Sequence, residues 1–137
     1  MTAAYNRAGP WARALLVPIA LGTLALPAHA GSLEIVGYSG WLGEWELTAT
    51  VTEEAGGQTK RYFGPMTMKH VGICTQDGPE EKTGVMHLEI PAAPSRLEAT
   101  LSIGGVDCGY SGQLSDVYSG TMTCPDREPV PLKLWIK

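Results

Sequence analysis

Leu97, Ala99, Leu101 and Ile103 are separated by Glu98, Thr100 and Ser102. This alternation of period two is satisfied by an extended strand with one dry face and one wet face. Gly104-Gly105 follows and can supply the positive φ angles of a two-residue hairpin turn. The resulting register sets Ile103 opposite Val106, Leu101 opposite Cys108 and Ala99 opposite Tyr110. A second turn at Ser115-Asp116-Val117 folds the chain back, so that Leu114 meets Tyr118, Gly112 meets Gly120, Tyr110 meets Met122 and Cys108 meets Cys124. One face then carries Cys108, Tyr110, Leu114, Tyr118, Met122 and Cys124, and the other Ser111, Gln113, Ser119, Thr121 and Thr123. A slip of one residue would turn every apolar side chain of one strand into water, so the pairing is strongly specified.

The same alternation recurs in Trp45, Leu47, Ala49 and Val51, in Met86, Leu88 and Ile90, and in Val130, Leu132, Leu134 and Ile136. Further strands are read near Leu33 to Tyr38, Thr59 to Phe63 and Met66 to Cys74, with almost no helix after Ala30. The expectation is an all-β domain of eight or nine short antiparallel strands. A meander with one buried face closes most economically as a small up-and-down barrel, with a β-sandwich as the alternative. The echo Gly37-Tyr38-Ser39-Gly40, Gly109-Tyr110-Ser111-Gly112 and Val117-Tyr118-Ser119-Gly120 is too short for a repeat unit. Glycine beside an aromatic residue in a strand marks a bend or a ring covering a missing side chain.

Ahead of this domain, residues 1–30 join basic Arg7 and Arg13 to an apolar run from Ala14 to Leu26 and the small-residue triplet Ala28-His29-Ala30. This is the pattern of a cleavable signal peptide. The run is shorter than the roughly 20 residues of a spanning helix, so the expectation is a soluble domain, residues 31–137, released to the periplasm or secreted. The leader holds two of the 10 Lys and Arg residues and none of the 14 Asp and Glu, which leaves the domain with a net charge of −6. Nucleic acid and anionic membrane surfaces are poor partners for such a chain, because phosphate binding needs clustered positive charge.

The chemistry-bearing residues are few. The Gly-x-Ser-Gly runs lie inside strands and lack the strand-to-helix elbow of a serine hydrolase. His70 and Cys74 share parity with Met66 and Met68, a donor set suited to copper or zinc. Strand residues four apart lie roughly 13 Å from each other, too far to share an ion without a bend. Residues 75–82 concentrate Asp77, Glu80 and Glu81 without the alternating oxygen ligands of a calcium loop. The expectation is therefore no catalytic residue, no metal, no cofactor and no enzymatic activity.

Gly43-Glu44-Trp45, opening a strand, resembles the Gly-x-Trp start of the calycin barrels, which include lipocalins, avidins and small bacterial metalloprotease inhibitors. Ser115-Asp116-Val117-Tyr118 is similar to a second lipocalin motif. The inhibitor group is nearest in size, although its disulfide stands in the first half of the domain. The resemblance implies a tryptophan closing one barrel end and an N-terminal arm offered to a protease, here Gly31, Ser32, Leu33, Glu34 and Ile35. The leading functional expectation is accordingly a non-enzymatic protein-binding module, an inhibitor of a protease or other hydrolase in its most specific form, with a secreted or envelope protein as partner. A barrel holding a small apolar ligand and a purely structural envelope protein are the alternatives.

Cys74, Cys108 and Cys124 allow three single disulfides in an oxidising compartment. The hairpin register favours Cys108 with Cys124 and leaves Cys74 a buried thiol on the side of Met66 and Met68. The competing arrangement joins Cys74 to one of the other two, if the Met66 strand lies beside this hairpin.

Overall fold

A computed structural model describes residues 31–72, 74 and 76–137; the expected signal peptide lies outside them. Eight strands follow in chain order: β1 (Ser32–Ser39), β2 (Trp45–Glu54), β3 (Lys60–His70), β4 (Glu81–Ile90), β5 (Arg96–Ile103), β6 (Val106–Leu114), β7 (Tyr118–Thr123) and β8 (Val130–Ile136). Each pairs antiparallel with the next, and β8 returns to β1 through Gly37↔Leu134 and its neighbours, closing a barrel. Closure pairs every edge, so no strand offers its backbone groups to another chain.

The expected registers hold. Leu101 faces Cys108 and Ala99 faces Tyr110 across β5 and β6, with Gly104 and Gly105 at φ 57° and 81° in the turn. Across β6 and β7, Leu114 faces Tyr118 and Gly112 faces Gly120. Cys108 and Cys124 are joined by a disulfide across 4.2 Å of Cα separation. That is the close spacing of a non-hydrogen-bonded pair.

Inward positions form one core, with Leu47, Val51, Met86, Leu88, Leu97 and Leu101 fully buried among others from all eight strands. The outer face of β2, β5 and β6 carries Thr48, Thr50, Glu98, Thr100, Ser111 and Gln113, all exposed. On β1, β3 and β8 the outer face also carries the exposed rings of Tyr38, Phe63 and Trp135.

Two expectations change. The strands read separately near Thr59–Phe63 and Met66–Cys74 are one continuous β3. Pro65, between them, points outward; the β2–β3 pairing lapses between Ala49↔Met66 and Thr52↔Phe63 and resumes in the same register. A proline has no N–H to give the ladder, so the pairing is missed there without ending the strand. The thiol of Cys74 is exposed, not buried. β3 ends at His70, so the parity that places Met66 and Met68 inside does not carry four residues further.

Tyr110 lies in this core with its hydroxyl donating to the Tyr118 carbonyl oxygen at 3.2 Å. Burial first, and the neighbouring Tyr118 second, push its hydroxyl from the ordinary 10.0 up to about 12. The unfolded chain then releases this proton more readily than the folded one, so the stabilisation is complete below pH 10 and is lost as pH rises toward 12. Denaturation midpoints of the protein and Tyr110→Phe between pH 9 and 12 check this. We expect the alkaline fall to be shallower in the variant; equal slopes would refute the assignment.

Candidate functional site

The two barrel ends differ. At one, here the mouth, the chain turns from β1 to β2, β3 to β4, β5 to β6 and β7 to β8. Gly40-Trp41-Leu42-Gly43 makes the first of these turns. The Gly40 N–H donates to the Pro131 carbonyl oxygen at 3.0 Å, the Gly43 N–H to the Gly40 carbonyl at 3.3 Å, and the Leu42 N–H to Glu44 Oε2 at 2.9 Å. Gly43 sits at φ 66°, a left-handed conformation that favours glycine. With the turn tied inward by these bonds, its two large side chains are left outside, Trp41 77% and Leu42 94% exposed.

Glu44 holds two loops. Its carboxylate accepts from its own N–H and from that of Leu42, and these bonds keep its carboxyl below the ordinary 4.5, with His70 as a minor contributor. Its carbonyl oxygen accepts from the N–H groups of Val71, at 2.8 Å, and Gly72, at 3.3 Å, and so binds the start of the β3–β4 loop to the β1–β2 loop.

Trp45 follows, inward at the head of β2. His70, its register partner on β3, stacks on it with ring centroids 4.6 Å apart and 17° between planes, while Lys82 Nζ lies 4.7 Å from the indole centroid and 3.3 Å from Glu80. A ring of this size covers part of the barrel end. It does not seal it: beside Trp45 a cleft of about 610 Å³ opens, floored by Met68, Met122, Val130 and the Cys108–Cys124 pair. Glu44, Lys82, Arg127 and Glu128 stand at its rim. Ser39, the one polar residue buried among the described residues, lines it at 2% exposure. The cleft thus lies at the mouth, against the end of the packed core.

The residues singled out from sequence fall as follows. Cys108 and Cys124 come together. Gly31 and Ser32 are exposed, but Ser32, Leu33, Glu34 and Ile35 are paired to Thr52, Val51, Thr50 and Ala49 as the first half of β1, and Ile35 is core. Gly31 continues this ladder, its carbonyl oxygen accepting from the Glu53 N–H at 2.8 Å. Met66, Met68 and His70 do share the inner face of β3, with the methionines in the core and His70 on Trp45, while Cys74 lies beyond the strand. His87 is exposed against Phe63, ring centroids 4.5 Å apart. Among the described residues, no group of three or more His, Cys, Asp or Glu converges as a metal site would require.

Sequence reasoning passed over Trp41 and Leu42. The available signal was two large apolar residues bracketed by glycines, in a turn where polar residues are the rule.

A scan against family models finds no match to the chain, and no curated protein matches it.

Proposed function

We propose that this protein is an exported, non-enzymatic binding module whose partner is another protein and whose working surface is the barrel mouth. The observation that carries this reading is the exposed Trp41-Leu42 pair, held on a turn tied at three points, at the mouth that opens into the apolar cleft. Large apolar side chains displayed on a fixed loop beside a pocket are the usual anchors of a protein interface. The disulfide agrees with an oxidising compartment outside the cytoplasm. The eight-strand barrel and the Gly43-Glu44-Trp45 opening of β2 agree with a calycin-type barrel. Inhibition of a secreted protease or other hydrolase is the most specific form of this function.

Affinity capture from the native envelope, repeated with W41A/L42S, tests the surface. We expect the double variant to lose about 30-fold in affinity, the scale of one interface hot spot, with its thermal midpoint unchanged. Partner binding that survives the double substitution sinks the reading. For the inhibitor form, a panel of purified secreted proteases is assayed with micromolar protein; unchanged activity throughout eliminates it.

The cleft volume of about 610 Å³ supports one rival, a small apolar ligand, since ligand pockets run about 300–1,000 Å³. Native mass spectrometry of the protein as purified separates the two, because a co-purifying small molecule would favour the rival.

A further inference from the structure

The mouth combines its apolar cleft with an uneven charge distribution. Glu44, Asp77, Glu80, Glu81, Asp126 and Glu128 stand on its loops and strand ends, against Lys69, Lys82 and Arg127. Lys82 is engaged with Glu80 and the face of Trp45, and Lys69 is opposite Glu46 and Glu81 in the ladders. At the other end of the barrel the carboxylate excess is smaller, Glu34, Glu53, Glu54, Glu89, Glu98 and Asp116 standing against Lys60, Arg61, Arg96 and Lys137, with Arg61 bonded to Glu89 at 3.1 Å and Arg96 to Glu98 at 3.3 Å. The net acidity is thus greater around the exposed Trp41 and Leu42 and the cleft than at that end. A second copy of this chain would bring like charges together there. A basic partner would gain attraction on approach and in register, while the apolar floor takes a side chain out of water.

We propose that the mouth receives a positively charged segment of a partner protein that inserts one aliphatic side chain into the cleft and sets flanking Lys or Arg residues against the acidic loops. The occupant is a basic peptide with an apolar anchor. This rests on the reading of the mouth as the binding surface, and it names the chemistry that surface selects. The anchor meets Met68, Met122 and Val130, and the flanking cations meet Glu44, Asp126 and Glu128.

Four nine-residue synthetic peptides test the proposal: leucine at the centre flanked by Lys and Arg, by Ser and Gln, or by Glu, and the Lys/Arg peptide with glycine in place of leucine. Binding is read from amide NMR shifts of the protein, with Ser39, Thr83, Val106 and Cys124 reporting on the cleft. The basic leucine peptide is expected to bind about tenfold more tightly than the neutral one, with the advantage falling as salt is raised and in E128Q. The acidic and glycine-centred peptides are expected to leave the cleft resonances in place. A neutral leucine peptide that binds as well as the basic one overturns the charge selection while leaving the mouth as a binding surface. A glycine-centred peptide that binds as well overturns the anchor. If no peptide moves the cleft resonances, the proposal fails, and the separate behaviour of the W41A/L42S variant toward the captured partner then decides whether the mouth binds protein by another route.

Discussion

Replacing Cys108 and Cys124 by alanine is expected to lower folding stability by about 3 kcal/mol and the thermal midpoint by on the order of 10–20 °C. The bond joins residues 16 apart, at the start of β6 and just beyond the end of β7. Cross-linking a loop of that size removes unfolded-chain entropy corresponding to about 3 kcal/mol. A barrel of this length draws its whole margin from a single modest core, so the loss is a large fraction of the total. Because the pair also floors the cleft, the variant should loosen the mouth more than the opposite end. Chemical denaturation of the protein and the double variant measures the difference. An unchanged midpoint would sink the argument, as would an unreduced peptide map in which Cys74 carries the cross-link.

Gly120→Ala is expected to cost about the same, and for a different reason. Gly112 and Gly120 face each other across β6 and β7. A Cβ at position 120 would lie 1.9 Å from the Ser111 carbonyl oxygen and 2.7 Å from the Gly112 Cα, both backbone atoms that cannot swing away. The two strands would have to separate, at a cost of about 3 kcal/mol, the upper range of ordinary overpacking. Across from it, the space a side chain at Gly112 would fill is taken by the Tyr110 ring, whose Cζ lies 2.6 Å from that point. This is the ring covering a bare glycine that the Gly109-Tyr110-Ser111-Gly112 echo suggested. Gly109→Ala is the control, because a Cβ there meets nothing within 4 Å. Equal denaturation midpoints for Gly109→Ala and Gly120→Ala would show that the close approach carries no energetic weight.

These two cases show how far the chain can be read without its structure. The β5–β6–β7 meander was legible to the residue, disulfide included, because period-two burial and turn chemistry are both local and each independently selects the same register. Trp45 was legible as an inward residue for the same reason, because it opens an alternating run, whereas its place over a barrel end was implied only by the Gly-x-Trp resemblance. Its stacking on His70 and the cation over it were not legible, since they depend on which strand lies beside β2 and where β4 begins. The N-terminal segment Ser32–Ile35 could be read as an arm or as a strand from its own residues. Its place in β1 is settled by β2, which pairs all four residues, and by β8, which joins from the other side at Ile35.

Parity within a strand was reliable, and parity carried past a strand end was not. Met66 and Met68 are inside as their spacing requires, whereas Cys74, on the same count, is outside because the chain leaves the sheet at His70 and is drawn toward the Glu44 carbonyl at Val71 and Gly72. That hydrogen bonding joins residues far apart in sequence and leaves no periodic trace.

What the sequence determined by itself is the all-β class, the inward and outward faces of the cleanly alternating strands and the register of the β5–β6–β7 meander. Burial of one face and the demands of tight turns act over a few residues, and every register slip is penalised at once. Tertiary structure alone decided the closure of β1 on β8, the cleft left beside Trp45, the outward display of Trp41 and Leu42, and the gathering of acidic loops around them. These features arise where strand ends of different length and loops from four connections meet. Their energies come from contacts between segments that no local pattern couples.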